Sequence, residues 1–78
     1  MACVSPDGRP TVSGLRILRA IQAGYETPEE VAQGAGFPMF RARSGIRELL
    51  QAGFLAQNGD KYALAGSGIE MIIEGGPL

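Results

Sequence analysis

Ile46-Arg47-Glu48-Leu49-Leu50-Gln51-Ala52-Gly53-Phe54-Leu55, followed by Asn58-Gly59-Asp60-Lys61-Tyr62-Ala63-Leu64, is the stretch on which the fold turns. Its first half closes an amphipathic helix. Met39, Ala42, Ile46, Leu49 and Leu50 recur at i, i+3, i+7, i+10 and i+11, which puts them on one side of a helix from Pro38 to Ala52. Gly53 suits a left-handed cap at its end. The pattern then becomes extended, with Phe54 to Gln57 and Asp60 to Leu64 joined by Asn58-Gly59, the strongest short turn signal. A two-residue loop there sets Leu55 opposite Tyr62 as a cross-strand pair.

Upstream, Leu15, Leu18 and Ile21 recur every three residues, with Ile17 and Ile21 four apart, so a helix begins at Thr11 or Ser13 and ends near Gly24. Thr27-Pro28-Glu29-Glu30 opens a second helix. Thr27 can cap it, Pro28 suits its first position, and Glu30 can reach back to close a capping box. Val31, Ala32 and Ala35 face inward, and Gly34 or Gly36 ends the element after about two turns. Downstream of Gly66-Ser67-Gly68, residues Ile69 to Glu74 read as a short last helix. The expected organisation is a loose arm over 1–10, one domain over 11–74, and a frayed end over 75–78.

Composition narrows the chemistry. The chain has 78 residues, 45% of them hydrophobic, which is enough for one small core. It has no His and one Cys, so a Cys/His zinc site and any His-activated nucleophile are excluded. No metal and no cofactor is expected, and no pair of acids has a pocket around it, so the expectation is a binding protein rather than an enzyme. Cys3 lacks an internal partner for a disulfide, which suggests a reducing, cytoplasmic setting, and it is read as incidental. No apolar run approaches the length of a membrane span or a signal-peptide core. Lys and Arg number 7 against 8 Asp and Glu, for a net charge of −1. All the basic residues but Lys61 are Arg, and Arg41, Arg43 and Arg47 crowd into one helix.

The order helix, short helix, longer helix, hairpin, helix resembles a winged helix-turn-helix domain, an α+β fold that is mostly helical. The resemblance runs from Leu15 to Ile72. It is carried by Leu15-x-Ile17-Leu18, Thr27-Pro28-Glu29-Glu30-Val31-Ala32, Gly36-Phe37-Pro38, Ile46 to Leu55, Leu64 and Gly68. The MarR-like and IclR-like DNA-binding domains are the nearest groups. The resemblance implies a third helix in the DNA major groove and a hairpin wing on phosphates or in the minor groove. Carried over by position, the helix contacts would be Phe40, Arg41, Arg43, Ser44 and Arg47, and the wing contacts Asn58 and Lys61. The capped start of the second helix would offer its N–H groups to a phosphate.

The residues agree with that picture where Arg41 and Arg47 project away from the apolar stripe, since Arg can pair with a guanine edge through two bonds. Phe40 is expected to pack under the wing or against the arm; the alternatives are a thymine methyl or a protein partner. Arg16 and Arg19 are expected at the surface, and Tyr62 and Leu64 in the core. A six-residue last helix cannot bury all its apolar residues on one side, which leaves Ile69, Ile72 and Ile73 as a self-association surface and predicts a homodimer. Two functions follow. One is a sequence-specific transcription regulator that binds double-stranded DNA. The other is a winged-helix protein-interaction module in a larger assembly, favoured by the acidic charge balance, the near-neutral wing and the apolar pair Met39-Phe40.

Overall fold

The computed structural model describes residues 2–75. Its elements are α1 (Val12–Gln22), α2 (Pro28–Ala35), α3 (Met39–Gln51), β1 (Leu55–Asn58), β2 (Lys61–Leu64) and α4 (Gly66–Gly75). This is the α+β, winged-helix layout. Thr11 caps α1 by accepting from the Gly14 N–H. The capping box of α2 is complete: the Glu30 N–H donates to Thr27 Oγ1 at 3.2 Å, and Glu30 Oε1 accepts from the Thr27 N–H at 3.3 Å. The same carboxylate oxygen accepts from the Glu26 N–H at 2.9 Å. Gly36, at φ 75°, ends α2 in the left-handed conformation that allows the chain to turn at once into α3.

The three helices close on a core in which Ile17, Leu18, Val31, Ile46 and Leu49 are fully covered. Phe54, Leu55 and Ile72 seal it from below the wing and from α4. Each such side chain contributes about 1.5–3 kcal/mol when removed from water. The wing is tied to the helices by its backbone as well: the Tyr62 N–H donates to the Glu26 carbonyl at 2.8 Å.

In the wing the register differs from the expected one. Leu55 faces Leu64 and Gln57 faces Tyr62, because the loop is Gly59-Asp60 and Asn58 remains in the strand opposite Lys61. A loop at Asn58-Gly59 in its favoured form needs positive φ at both positions. Here Gly59 has φ 66°, and no residue other than glycine has positive φ among the described residues. Moving the turn by one position moves every partner by two, so the inward side chains keep their face and change only their neighbours. Leu55, Gln57, Tyr62 and Leu64 all lie on the side turned to the helices.

The last helix is also longer than expected, ten residues rather than six, and it starts inside the glycine-rich segment. Gly66-Ser67-Gly68 reads as a linker by composition, yet Gly68 is buried where a Cβ would collide with the Phe54 carbonyl. Ser67 Oγ donates to the Gly53 carbonyl at 2.7 Å. These contacts let α4 lie directly on the start of the wing.

The expected loose arm is folded back in its described part. Cys3 is 1% exposed and belongs to the core. Its N–H donates to Glu48 Oε1 at 3.1 Å, and its carbonyl accepts from the Thr11 N–H at 2.9 Å. Val4 and Pro10 pair across a turn in which Ser5 Oγ bonds Asp7, and Arg9 forms an ion pair with Glu74 of α4. Burial, and secondarily the Glu48 carboxylate, push the Cys3 thiol above its usual 9.0, so it stays protonated. Gly75 ends α4; the rest of the expected frayed segment lies outside the described residues.

Two predictions follow from these contacts. Gly68→Ala should cost about 1–3 kcal/mol, because the new methyl group meets backbone rather than a side chain that can turn away. Urea unfolding measures this, and a loss under about 0.5 kcal/mol, the size of an ordinary surface change, would contradict the close approach. The Thr27 and Glu26 N–H groups hold the Glu30 carboxyl below its usual 4.5. With the folded value depressed, the stabilisation from the box is complete above pH 4.5 and disappears as pH falls through the folded value. Glu30→Gln should therefore lose less stability than the wild type between neutral pH and acid; parallel curves would count against the box.

Candidate functional site

The residues singled out for contact lie along α3 and the wing, and tertiary packing divides them. Phe40 is 72% exposed, packed neither under the wing nor against the N-terminal segment. Its ring sits at the first turn of α3, where the neighbouring Met39, expected to face inward, is only half-buried and does not pack on the core. Arg41 is half-buried, its guanidinium carbon 5.9 Å from the centre of the Phe37 ring; that of Arg16 lies 5.5 Å from the same ring. Such contacts are worth about 0.5–1 kcal/mol at exposed sites. Arg43 is exposed and lies 3.9 Å from Glu29 of α2, a long and weak pair. Ser44 and Arg47 are exposed, and Arg47 has no ion pair or hydrogen bond among the described residues.

Asn58 and Lys61 stand at the exposed end of the wing. Lys61 is close enough to Glu30 to help lower that carboxyl's pKa, after the two backbone hydrogen bonds. Glu48 has left the outer face of α3, where its spacing suggests it would be, to accept from the Cys3 amide. The basic row is thus set among acids. Arg43 meets Glu29, Lys61 faces Glu30, and Asp60 shares the wing tip.

Between α3 and the inward face of the wing lies a groove of about 300 Å³. Pro28, Ile46, Leu50 and Tyr62 line its apolar part, and Arg43, Arg47 and Gln57 its polar part. The Gln57 amide donates to the Gly59 carbonyl at 3.0 Å, which fixes its side chain beside the loop. Sequence reasoning missed Pro28, Gln57 and Tyr62 as a set. Tyr62 is half-buried at the groove rather than enclosed in the core. The available signal was the two-residue period of the wing, which puts Gln57 and Tyr62 on the face of Leu55.

Elsewhere, Ile72 is 6% exposed and packs in the core, which removes it from the expected self-association surface. Ile69 and Ile73, at 44% and 74%, remain outside. Arg19 is not a plain surface residue: its Nε and Nη2 are buried with no hydrogen-bond partner. No group of acids, His or Cys that could hold a metal occurs among the described residues, and none of their helices is long and apolar enough to cross a membrane.

No protein-family model matches the chain, and no curated protein matches it. Solved structures do. An O-methyltransferase from neocarzinostatin biosynthesis, NcsB1, matches in three forms with a TM-score of 0.67 and 28% identity. These are complexes with S-adenosylmethionine and 2-hydroxy-5-methyl naphthoic acid, with S-adenosyl-L-homocysteine, and with S-adenosyl-L-homocysteine and 1,4-dihydroxy-2-naphthoic acid. The match covers 76% of this chain but only 18–20% of theirs. The chain is therefore similar to about a fifth of that enzyme.

Because Phe40 contributes so little to the core, Phe40→Ser should leave the unfolding free energy within about 0.5 kcal/mol. A cost of several kcal/mol in urea unfolding would mean that the ring is packed in solution.

Proposed function

We propose that the chain is a non-catalytic winged-helix module that works by binding protein, in the oligomerisation or docking of an enzyme of the O-methyltransferase kind. The observation that carries this is the charge balance of the α3–wing face. A duplex presents one negative charge per ~1.7 Å of its axis and rewards an uninterrupted positive surface. Here Arg43, Arg47 and Lys61 share the face with Glu29, Glu30 and Asp60, and Arg41 is turned to the opposite flank of α3, against Phe37 and towards Cys3. The similarity to part of a methyltransferase supports a use of this fold outside gene regulation. Ile69 and Ile73 on α4 supply the apolar surface for a second copy, so the module is read as a homodimer.

A second reading keeps a specific observation in its favour. Arg43, Ser44 and Arg47 lie outward on one helix beside a wing, the placement expected of a DNA-binding regulator with α3 in the major groove.

Two measurements separate the readings. Sedimentation velocity over a concentration series should show self-association, weakened about tenfold or more by Ile73→Glu, as expected for a charge set into an apolar contact. Fluorescence anisotropy with a mixed-sequence duplex should give no better than the non-specific range of about 10⁻⁴–10⁻⁶ M. A strictly monomeric protein that binds a duplex in the nanomolar range, with affinity falling steeply as salt rises, would sink the protein-binding reading and establish the regulator.

A further inference from the structure

The groove between α3 and the wing joins an apolar floor to two guanidinium groups on one rim. Pro28, Leu50 and Tyr62 are half-buried along it, and Ile46 closes it at the bottom. Arg43 and Arg47 are four residues apart on α3, so their Cβ atoms stand about 5–6 Å apart on one side of the helix. Both are available. Arg47 has no partner among the described residues, and Arg43 has only the long contact to exposed Glu29 at 3.9 Å. An exposed pair of that length contributes little and is readily exchanged for a better acceptor.

We infer that this groove is a docking site for a short acidic peptide segment that carries one large apolar side chain, from a partner protein. The inference rests on the protein-binding reading above and names the partner's chemistry. The volume of about 300 Å³ accommodates one such side chain and the backbone beside it. Carboxylates next to that anchor fall between Arg43 and Arg47, where each guanidinium can offer two parallel N–H bonds.

The surroundings select a compact anion over an extended one. Glu29 and Glu30 at the start of α2 and Asp60 at the wing tip border the same groove, so a long polyanion laid across it meets like charge at both ends. A single carboxylate held on the Arg43–Arg47 rim has only Glu29 to displace, from one long contact with Arg43. The apolar floor works in the same direction, since a phosphate backbone has nothing to place against Leu50 and Tyr62, whereas an apolar anchor has.

The test is an amide NMR titration of the whole chain at ~0.15 M salt, where exposed charges are screened beyond about 8 Å. The probe is an end-blocked hexapeptide with a central phenylalanine flanked by aspartate and glutamate. Two control peptides replace the phenylalanine by alanine or the acids by their amides. Shifts should be confined to the segments around 43–50, 57 and 62, and both controls should bind at least about tenfold more weakly, the effect of losing one anchor contact. Arg47→Glu, at an exposed position that folding does not need, should abolish binding of the acidic peptide. A peptide with lysines in place of the acids should restore it.

No shifts at the groove, or equal binding of all three peptides, overturns the inference. If the protein still self-associates through α4 in that case, the protein-binding reading stands without it. If instead a mixed-sequence duplex moves the same residues with a steep salt dependence while the peptide does not, both fall.

Discussion

α3 can lie as close to α1 as it does because position 45 has no side chain. A Cβ there would stand 2.5 Å from Ile17 Cδ1 and 2.6 Å from Cys3 Sγ, so Gly45 is the gap into which both neighbours fit. The rest of the molecule depends on this approach. It brings Ala42, Ile46 and Leu49 into the core, and it opens the place that draws the N-terminal segment back over the helices. Glu48, one turn along, accepts the Cys3 N–H and holds that segment down. The outward direction of Phe40, Arg43 and Arg47 is the reverse side of the same contact, since a helix with one face fixed has its other face fixed too.

What α3 shows to its surroundings is then decided by α2 and the wing. The capping box places Glu29 and Glu30 at the start of α2, where their charge favours the helix dipole. The backbone bond from Tyr62 to Glu26 carries the wing to that same end. Acids at the start of α2 therefore border Arg43 and Lys61, and the wing side of α3 becomes nearly balanced in charge. That balance is the basis of the proposed protein-binding role, and it leaves a groove in which an apolar floor and a basic rim adjoin.

The helices and the hairpin were legible because their signals are local. The spacing of Leu15, Leu18 and Ile21, the Thr27-Pro28-Glu29-Glu30 start and the stripe from Met39 to Leu50 each follow from the period of a helix and the needs of its ends. The wing was legible as a hairpin but not in its register, since Asn58-Gly59 and Gly59-Asp60 both supply a turn. The folded chain takes Gly59-Asp60, which pairs Leu55 with Leu64 and leaves Asn58 without the positive φ that the other turn demands. Gly68 misled for a related reason: a glycine needed for close approach inside a helix has the same composition as a glycine in a linker.

The sequence by itself determined the kinds of elements, their order and most of the inward faces of α1, α2 and α3, because those depend on neighbours within one or two turns of chain. It also excluded a Cys/His zinc site and histidine-based nucleophile activation by lacking the residues. Tertiary structure alone decided that Cys3 and Ile72 are core, that Phe40 and Ile73 are not, and that Arg43 stands beside Glu29. It likewise brought Pro28, Arg47, Gln57 and Tyr62 to one groove. These residues lie on four elements, α2, α3, β1 and β2, and no periodicity within an element records where another element comes to rest against it.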